Sequence, residues 1–130
     1  MSERPAPTPG IDDESLPFWE ATREERLLFK RCRDCDEPHW YPRSKCPSCH
    51  GVNTEWVESR GLGTIYSHST MRRVPEPYTL AWVTLDEGVT MMTNLVDCDP
   101  DTLAIGQRVR VVFRDTEDDV KIPFFTPVGA

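Results

Sequence analysis

Hydrophobic and polar residues alternate along most of the second half of the chain, and this period of two predicts strands rather than helices. The alternating segments are rich in β-branched and aromatic residues, and they cover residues 64–71, 78–85, 89–96, 107–113 and 120–125. Short turns that contain proline, glycine or runs of acidic residues separate them. Five strands joined by short turns within so few residues predict a small closed barrel of the OB type.

The N-terminal part of the chain has a different pattern. Residues 1–13 are rich in proline and lack hydrophobic periodicity, so we expect a flexible tail. A helix is predicted over about 15–26, with Ser15 as its N-cap, Pro17 in its first turn, and Phe18 and Trp19 as its apolar anchor.

Two further strands are predicted beyond this helix. Residues 27–31 and 39–43 each lead into a pair of cysteines. A shorter alternating segment, residues 55–58, precedes the turn around Gly61. The chain is therefore divided into a tail (1–13), a helix with a metal-binding segment (14–52) and a barrel (53–130).

The four paired cysteines carry the strongest chemical signal. Cys32 and Cys35 form one C-x2-C pair, Cys46 and Cys49 form a second, and ten residues separate the pairs. Two such pairs at this spacing indicate a tetrahedral site for one Zn²⁺ per chain. All four ligands come from the protein, so no position is left for water or substrate and the zinc is predicted to be structural. His39 and His50 are alternative ligands, because imidazole also binds zinc.

Charge narrows the function classes. The 130 residues include 15 basic and 22 acidic side chains, a formal net charge of -7. An acidic chain repels phosphate backbones, which disfavours nucleic-acid binding. No hydrophobic run is long enough to cross a bilayer, and reduced cysteines used in metal pairs favour the cytoplasm. Cys98 lies between Asp97 and Asp99, whose charges disfavour its thiolate, so it is interpreted as an unreactive residue.

In their order and spacing, several short motifs resemble those of the DUF35 family. The matching segments are Pro17-Phe18-Trp19-Glu20, the paired cysteines with Tyr41-Pro42-Arg43 between them, Gly61-Leu62-Gly63-Thr64-Ile65-Tyr66, Pro77-Tyr78, Leu85-Asp86-Glu87-Gly88, residues 103–109 and Pro123-Phe124-Phe125. The resemblance covers roughly residues 14 to 127 and implies a mainly β protein with an N-terminal helix, a rubredoxin-like zinc ribbon and a five-stranded OB-fold. The chain departs from the family where Asp36 and His50 replace the glycine that commonly follows each pair. Both residue types tolerate the left-handed conformation, so the turns remain feasible.

The resemblance also implies a function. It suggests a non-catalytic accessory subunit that docks on and stabilises a thiolase-like or lipid-transfer-protein-like aldolase acting on acyl-CoA thioesters, in steroid or fatty-acid degradation, and that helps to shape the acyl-CoA channel. The candidate partner interface consists of aromatic residues, of which about half are expected to lie in the core: Phe18, Trp19, Trp40, Tyr41, Phe124 and Phe125. The candidate contacts for CoA or another anion are Lys30, Arg43, Arg72 and Arg73.

Two other function classes stay open. OB barrels and zinc ribbons both occur in nucleic-acid-binding modules, which require a basic groove interleaved with exposed aromatic residues. An independent enzyme would need a catalytic group, and His68 lies between Ser67 and Ser69. Neighbouring residues of a strand point to opposite faces, so His68 is poorly placed to activate either serine.

Overall fold

The computed structural model describes residues 7–40 and 42–128 of the chain. The elements run in the order α1 (Leu16–Arg23), β1 (Leu27–Cys32), β2 (Pro38–His39), β3 (Thr54–Ser59), β4 (Leu62–Met71), β5 (Tyr78–Leu85), β6 (Thr90–Leu95), a short 3-10 helix (Pro100–Thr102), β7 (Arg108–Asp115) and β8 (Lys121–Pro127). None of the helices in the described ranges has the length and hydrophobicity that a membrane crossing requires.

The first three strands form an antiparallel sheet in the order β2-β1-β3. Strand β3 pairs with β1 over its whole length, from Leu27 opposite Ser59 to Cys32 opposite Thr54, so the segment predicted over 55–58 completes the ribbon sheet. The strand predicted over 39–43 is wrong in extent, because pairing with β1 ends at His39. Pro42 has no N–H with which to continue the ladder. The proposed boundary between residues 52 and 53 stays a prediction.

The five remaining strands confirm the predicted barrel, closed in the order β4-β5-β6-β8-β7. Four of the five junctions are antiparallel ladders, whereas β6 and β8 run parallel and pair only at Leu95 opposite Phe125. Strand β4 carries a bulge at Tyr66, between Ile65 and Ser67. Bulges bend a strand and increase its twist, which helps to close a small barrel.

The helix is shorter than predicted. It ends at Arg23 instead of residue 26, because Glu25 has a positive φ of 57° and turns the chain into β1. Ser15 occupies the N-cap position, but its side chain makes no capping hydrogen bond to the helix. Its hydroxyl instead accepts a hydrogen bond from the backbone N–H of Asp12. Of the predicted tail, residues 1–6 lie outside the described residues, and residues 7–12 form neither helix nor strand.

One continuous hydrophobic core joins the helix, the ribbon and the barrel. Phe29 of β1 and Phe125 of β8 are both fully buried, and Phe18 of the helix belongs to the same cluster. Thr22 strengthens this joint, since its hydroxyl accepts a hydrogen bond from the backbone N–H of Lys121 at 3.0 Å. The helix thus packs between the ribbon and the barrel and fixes one against the other.

Candidate metal centre and surrounding surfaces

The two cysteine pairs form turns with the same hydrogen-bond pattern. In the first turn the N–H of Asp36 donates to the carbonyl of Cys32, and in the second the N–H of His50 donates to the carbonyl of Cys46, both at 2.9 Å. Asp36 and His50 each have a φ of 63°, the left-handed conformation that was expected at these positions. The departure from glycine therefore leaves both turns intact.

The four sulfur atoms come together in one cluster, and all lie within 4.8 Å of one another. The Sγ atoms of Cys32 and Cys49 are 3.6 Å apart, as are those of Cys35 and Cys46. A tetrahedral ion with Zn–S bonds of 2.3 Å requires S···S distances of about 3.8 Å. The donor set and its spacing therefore fit a tetrahedral zinc ion.

At Cys46 the backbone favours the thiolate form that a metal needs, whereas, despite backbone hydrogen bonds from Glu37 and Gly51, burial and the neighbouring sulfur atoms raise the pKa of Cys35 and of Cys49. A backbone hydrogen bond from Cys49, together with one from Ser48, lowers the pKa of Cys46 to about 7. The N–H of Ser48 lies 3.3 Å from the Cys46 sulfur. A thiol that ionises near neutral pH loses little free energy in releasing its proton to solvent when a metal ion binds.

The two histidines do not belong to this cluster, which is made of the four cysteines alone among the described residues. His39 pairs with Lys30 across β1 and β2, and neither of its imidazole nitrogens has a hydrogen-bond partner within the part of the chain that the structure describes. Burial lowers the pKa of His39 and favours its neutral form. His50 serves the site through its backbone turn.

The four candidate anion contacts lie in different environments. The Lys30 ammonium donates to the Thr54 hydroxyl at 3.1 Å and lies 4.7 Å from the centroid of the Trp56 ring. Burial lowers the pKa of Lys30. Arg43 lines an open depression of about 550 Å³ beside the second cysteine pair, together with Lys45. Glu14 lines the same depression, so it combines two basic side chains with one acidic side chain.

The other two candidates follow β4 in the barrel. Arg72 forms an ion pair with Asp101 at 2.8 Å, which occupies part of its hydrogen-bonding capacity. Arg73 is exposed. The sequence alone could not distinguish the paired arginine from its neighbour, because Asp101 is distant along the chain.

The six candidate interface aromatics are distributed between the core and its edge. Phe18 and Phe125 are buried at 4% and 0% exposure, whereas Trp19, Trp40 and Phe124 are partly buried. Phe18 makes edge-to-face contacts with both tryptophans, at centroid distances of 4.8 and 5.2 Å. Tyr41 lies outside the described residues. The division matches the expectation that about half of these aromatics are core, and their interface role stays a prediction.

Trp19 and Trp40 line a mainly apolar cleft of about 310 Å³ that the sequence analysis did not identify. The cleft is also lined by Met91 and Met92 of β6 and by Pro123 of β8. The cleft lies along the edge of β6 that faces away from β5, where pairing with β8 is limited to Leu95 opposite Phe125. Such a gap depends on barrel closure and leaves no local pattern in the sequence.

The barrel also carries an exposed hydrophobic face that was not predicted from the sequence. Tyr78, Leu80 and Trp82 of β5 all point outward, while the residues between them point into the core. The signal in the sequence was that β5 is hydrophobic at both odd and even positions, which indicates that both of its faces are apolar. In the same region, His68 pairs with Ala81 on the inner side and both flanking serines face outward, which confirms that they lie on opposite faces.

Comparison with known proteins matches both parts of the chain. Residues 19–55 match a family described as the ChsH2 rubredoxin-like zinc ribbon domain, and residues 56–114 match the ChsH2 C-terminal OB-fold domain. A DUF35 domain-containing scaffold protein of Methanocaldococcus jannaschii is 32% identical over 109 residues, which is 78% of this chain and 77% of that protein.

Longer relatives match over part of their length. The probable enoyl-CoA hydratase alpha subunit of Thermomonospora curvata is 32% identical over 126 residues, or 93% of this chain. The chain spans only 40% of that relative. It is also 31% identical over 112 residues, 78% of the chain, to the 3-oxo-4,17-pregnadiene-20-carboxyl-CoA hydratase alpha subunit of Mycobacterium tuberculosis, of which it spans 34%.

Two solved structures share the fold. A chain of the structure named Ltp2-ChsH2(DUF35) aldolase superposes with a TM-score of 0.83 at 31% identity, covering 92% of this chain and 98% of that one. A DUF35-family protein of unknown function from Sulfolobus solfataricus superposes with a TM-score of 0.67 at 10% identity, covering 90% and 87%. The second likeness extends to the fold alone.

Proposed function

Because the chain belongs to the DUF35 family of zinc-ribbon and OB-fold proteins, we propose that it is the accessory subunit of an enzyme that acts on acyl-CoA thioesters. The partner is a thiolase-like or aldolase-like enzyme, which this chain binds and stabilises. The observation that carries the proposal is the match over 98% of a chain in the structure named Ltp2-ChsH2(DUF35) aldolase.

The names of the other relatives support the same class of reaction. Two of them are described as alpha subunits of CoA-thioester hydratases, and others as scaffold proteins. Steroid or fatty-acid degradation is the proposed setting, since one relative is named for a pregnadiene-carboxyl-CoA substrate. Hydratases and aldolases of this kind both act on acyl-CoA substrates. The proposed role common to these relatives is therefore to assist an enzyme that acts on an acyl-CoA thioester.

The proposed metal is one structural zinc ion per chain, held by Cys32, Cys35, Cys46 and Cys49. When bound, it supplies folding free energy to a sheet of three short strands that has little core of its own. The four cysteines would fill its coordination positions, so the ribbon serves as a scaffold and the chemistry is assigned to the partner. This division of roles is the basis for proposing a non-catalytic subunit.

Two groups of residues are proposed to serve the complex directly. Among the described members of the aromatic set, Trp19, Trp40 and Phe124 retain exposed surface, and Trp19 and Trp40 line the cleft. Arg43 is an exposed candidate anion contact that lines the open depression beside the second cysteine pair. Lys30, Arg72 and Arg73 complete the set proposed for CoA phosphates or partner carboxylates.

The experiment is an affinity purification of the tagged chain from its native host, with bound proteins identified by mass spectrometry. Recovery of a thiolase-fold or hydratase enzyme at a fixed ratio is the expected result. The purified pair is then assayed for acyl-CoA turnover, and the enzyme alone is expected to be less active or less stable. If the chain turned over an acyl-CoA substrate alone, the non-catalytic assignment would be wrong.

The nucleic-acid-binding alternative is tested with the same preparation. Binding of single-stranded DNA is titrated against salt, because neutralised phosphates make affinity fall steeply as salt rises. Submicromolar, salt-sensitive binding would favour that alternative. We expect no such binding, since the exposed aromatics of the barrel lie on a face without basic side chains.

A further inference from the structure

The outer face of strands β4, β5 and β6 carries no charged side chain. Most of its positions follow from the strand registers, in which directly opposed residues share a face, and Tyr66 at the bulge is assigned to this face because its side chain is exposed. The positions are Thr64, Tyr66, Ser67, Ser69, Met71, Tyr78, Leu80, Trp82, Thr84, Thr90, Met92 and Asn94. Charged residues make up 28% of the chain, so an ordinary solvated face of this size would include several.

The hydrophobic members of this face, which we call the β4–β6 face, are well exposed. Tyr66, Trp82 and Met92 are 67%, 47% and 57% exposed, and Trp82 lies directly opposite Met92. Together with Met71, Tyr78 and Leu80 they present roughly 600 Å² of side-chain surface, given the size of aromatic side chains. Monomeric proteins rarely expose larger contiguous patches, and one partner of a standard interface contributes about 800 Å².

Charged side chains lie at the borders of the β4–β6 face. The Arg108 guanidinium binds the Asp86 carboxylate at 2.7 Å beside Thr64, and Arg72 follows Met71 at the other end of β4. An apolar centre with a charged rim is the usual arrangement of a protein–protein interface. The neighbouring strand β7 differs, since Arg108, Arg110 and Arg114 are three of its outward residues.

We propose that the β4–β6 face is the surface on which the acyl-CoA enzyme subunit docks, with Trp82 and Met92 at its centre. This inference rests on the proposed function for the identity of the occupant. The occupant is a folded protein subunit that presents an uncharged, largely apolar patch of similar size. Tryptophan and tyrosine are enriched among the residues that dominate binding energy, which agrees with Tyr66, Tyr78 and Trp82 on this face.

Charge decides between this occupant and the other candidates. A second copy would bring together two chains that each carry a net charge of -7, and their repulsion opposes association. A nucleic acid requires basic side chains among the aromatics, which this face does not have. A different protein of less negative charge avoids both penalties. The Met92 side chain also lines the apolar cleft, so the docking surface continues into a pocket that a partner side chain can fill.

The test uses two variants matched in charge. Trp82→Glu combined with Met92→Glu lowers the net charge by two on the β4–β6 face, and Arg110→Glu lowers it by two on β7. Because two carboxylates directly opposite each other on neighbouring strands repel and destabilise the barrel, Trp82→Gln combined with Met92→Gln provides an uncharged second variant. Zinc content, circular dichroism and urea unfolding establish that each variant is folded.

Binding is measured by calorimetry with the purified enzyme subunit identified in the affinity experiment. We expect the glutamate pair to weaken binding about 100-fold or more, the glutamine pair to weaken it at least tenfold, and Arg110→Glu to change it less than threefold. If both paired variants bound within threefold of the wild type, the docking surface would lie elsewhere while the accessory function stood. Equal weakening by Arg110→Glu would indicate electrostatic attraction in place of apolar docking.

Light scattering measures the oligomeric state of the chain alone and tests whether a second copy occupies the face. We expect a monomer. A wild-type dimer that the glutamate pair converts to a monomer would identify a second copy as the occupant and overturn the proposal. If the wild type associates with no acyl-CoA enzyme, both the proposed function and this inference fail. That result is distinguishable from a loss of binding in the variants alone, which would support the docking surface.

Discussion

Thr22 provides the sharpest test of the joint between the helix and the barrel. Its side chain is fully buried, and its hydroxyl donates to the carbonyl of Trp19 at 2.6 Å while accepting from the N–H of Lys121 at 3.0 Å. Substitution Thr22→Val keeps the shape of the side chain but removes this acceptor. The N–H of Lys121 is then left without its partner at the start of β8.

Thr22→Val removes both hydrogen bonds of the hydroxyl, and the expected cost comes mainly from the Lys121 N–H that loses its acceptor. A buried donor without a partner costs about 1–3 kcal/mol, so the free energy of unfolding should fall by that amount. Urea unfolding in saturating zinc, followed by tryptophan fluorescence, measures the loss. Thr22→Ser is the control, because it retains the acceptor and removes only a methyl group, at a cost of about 1 kcal/mol.

A local measurement separates this mechanism from general destabilisation. Hydrogen exchange of the Lys121 amide should accelerate in Thr22→Val and stay close to the wild type in Thr22→Ser when both are compared at equal global stability. The reasoning would be refuted if Thr22→Val changed the unfolding free energy by less than about 0.5 kcal/mol, which is the range of ordinary surface substitutions. Unchanged protection of that amide would refute it as well.

Three further predictions concern the metal site and its supports. Cys46→Ser should lower bound zinc from one ion per chain towards zero by atomic absorption, whereas Cys98→Ser should leave it unchanged, and zinc retention in Cys46→Ser would contradict the four-cysteine assignment. His50→Gly should keep the metal and raise the unfolding free energy by about 1 kcal/mol, because the φ of 63° is strained for residues other than glycine; a loss of stability in urea would show that the imidazole does more than fill the turn. Hydrogen bonds from the backbone N–H and hydroxyl of Ser44 lower the pKa of Glu14 below its ordinary value of 4.5, so their stabilisation is present above that pH and is lost as pH falls through the lower folded pKa. The stability difference between wild type and Glu14→Gln should therefore shrink on acidification below about pH 4.5, and a difference that is independent of pH would contradict this role.

Local sequence features predicted the elements whose signals are local. The cysteine spacing predicted the cluster, because two residues between ligands form a tight turn irrespective of the rest of the fold. The five barrel strands were recognised from alternation and turn residues. The left-handed turns at Asp36 and His50 followed from the residue types that tolerate this conformation.

The features that the sequence did not reveal depend on distant partners. Strand β3 joins the ribbon because it pairs with β1, about 27 residues earlier, and nothing in its own four alternating residues specifies that partner. The exposed β4–β6 face was missed for a related reason. In β5 the outward Trp82 is as hydrophobic as the inward Val83, so hydrophobicity alone could not tell which set was buried.

The position of β8 has a consequence for how the chain is made. This strand closes the barrel through Phe125 opposite Leu95 and also pairs with β7. The helix packs against it through the hydrogen bond from the Lys121 N–H to the Thr22 hydroxyl, 99 residues earlier. During synthesis from the N-terminus, neither the helix nor the barrel can complete its packing until β8 has left the ribosome. We therefore expect the nascent chain to stay open to proteases and chaperones until then and to fold in one late step, with zinc able to organise the cysteine turns beforehand.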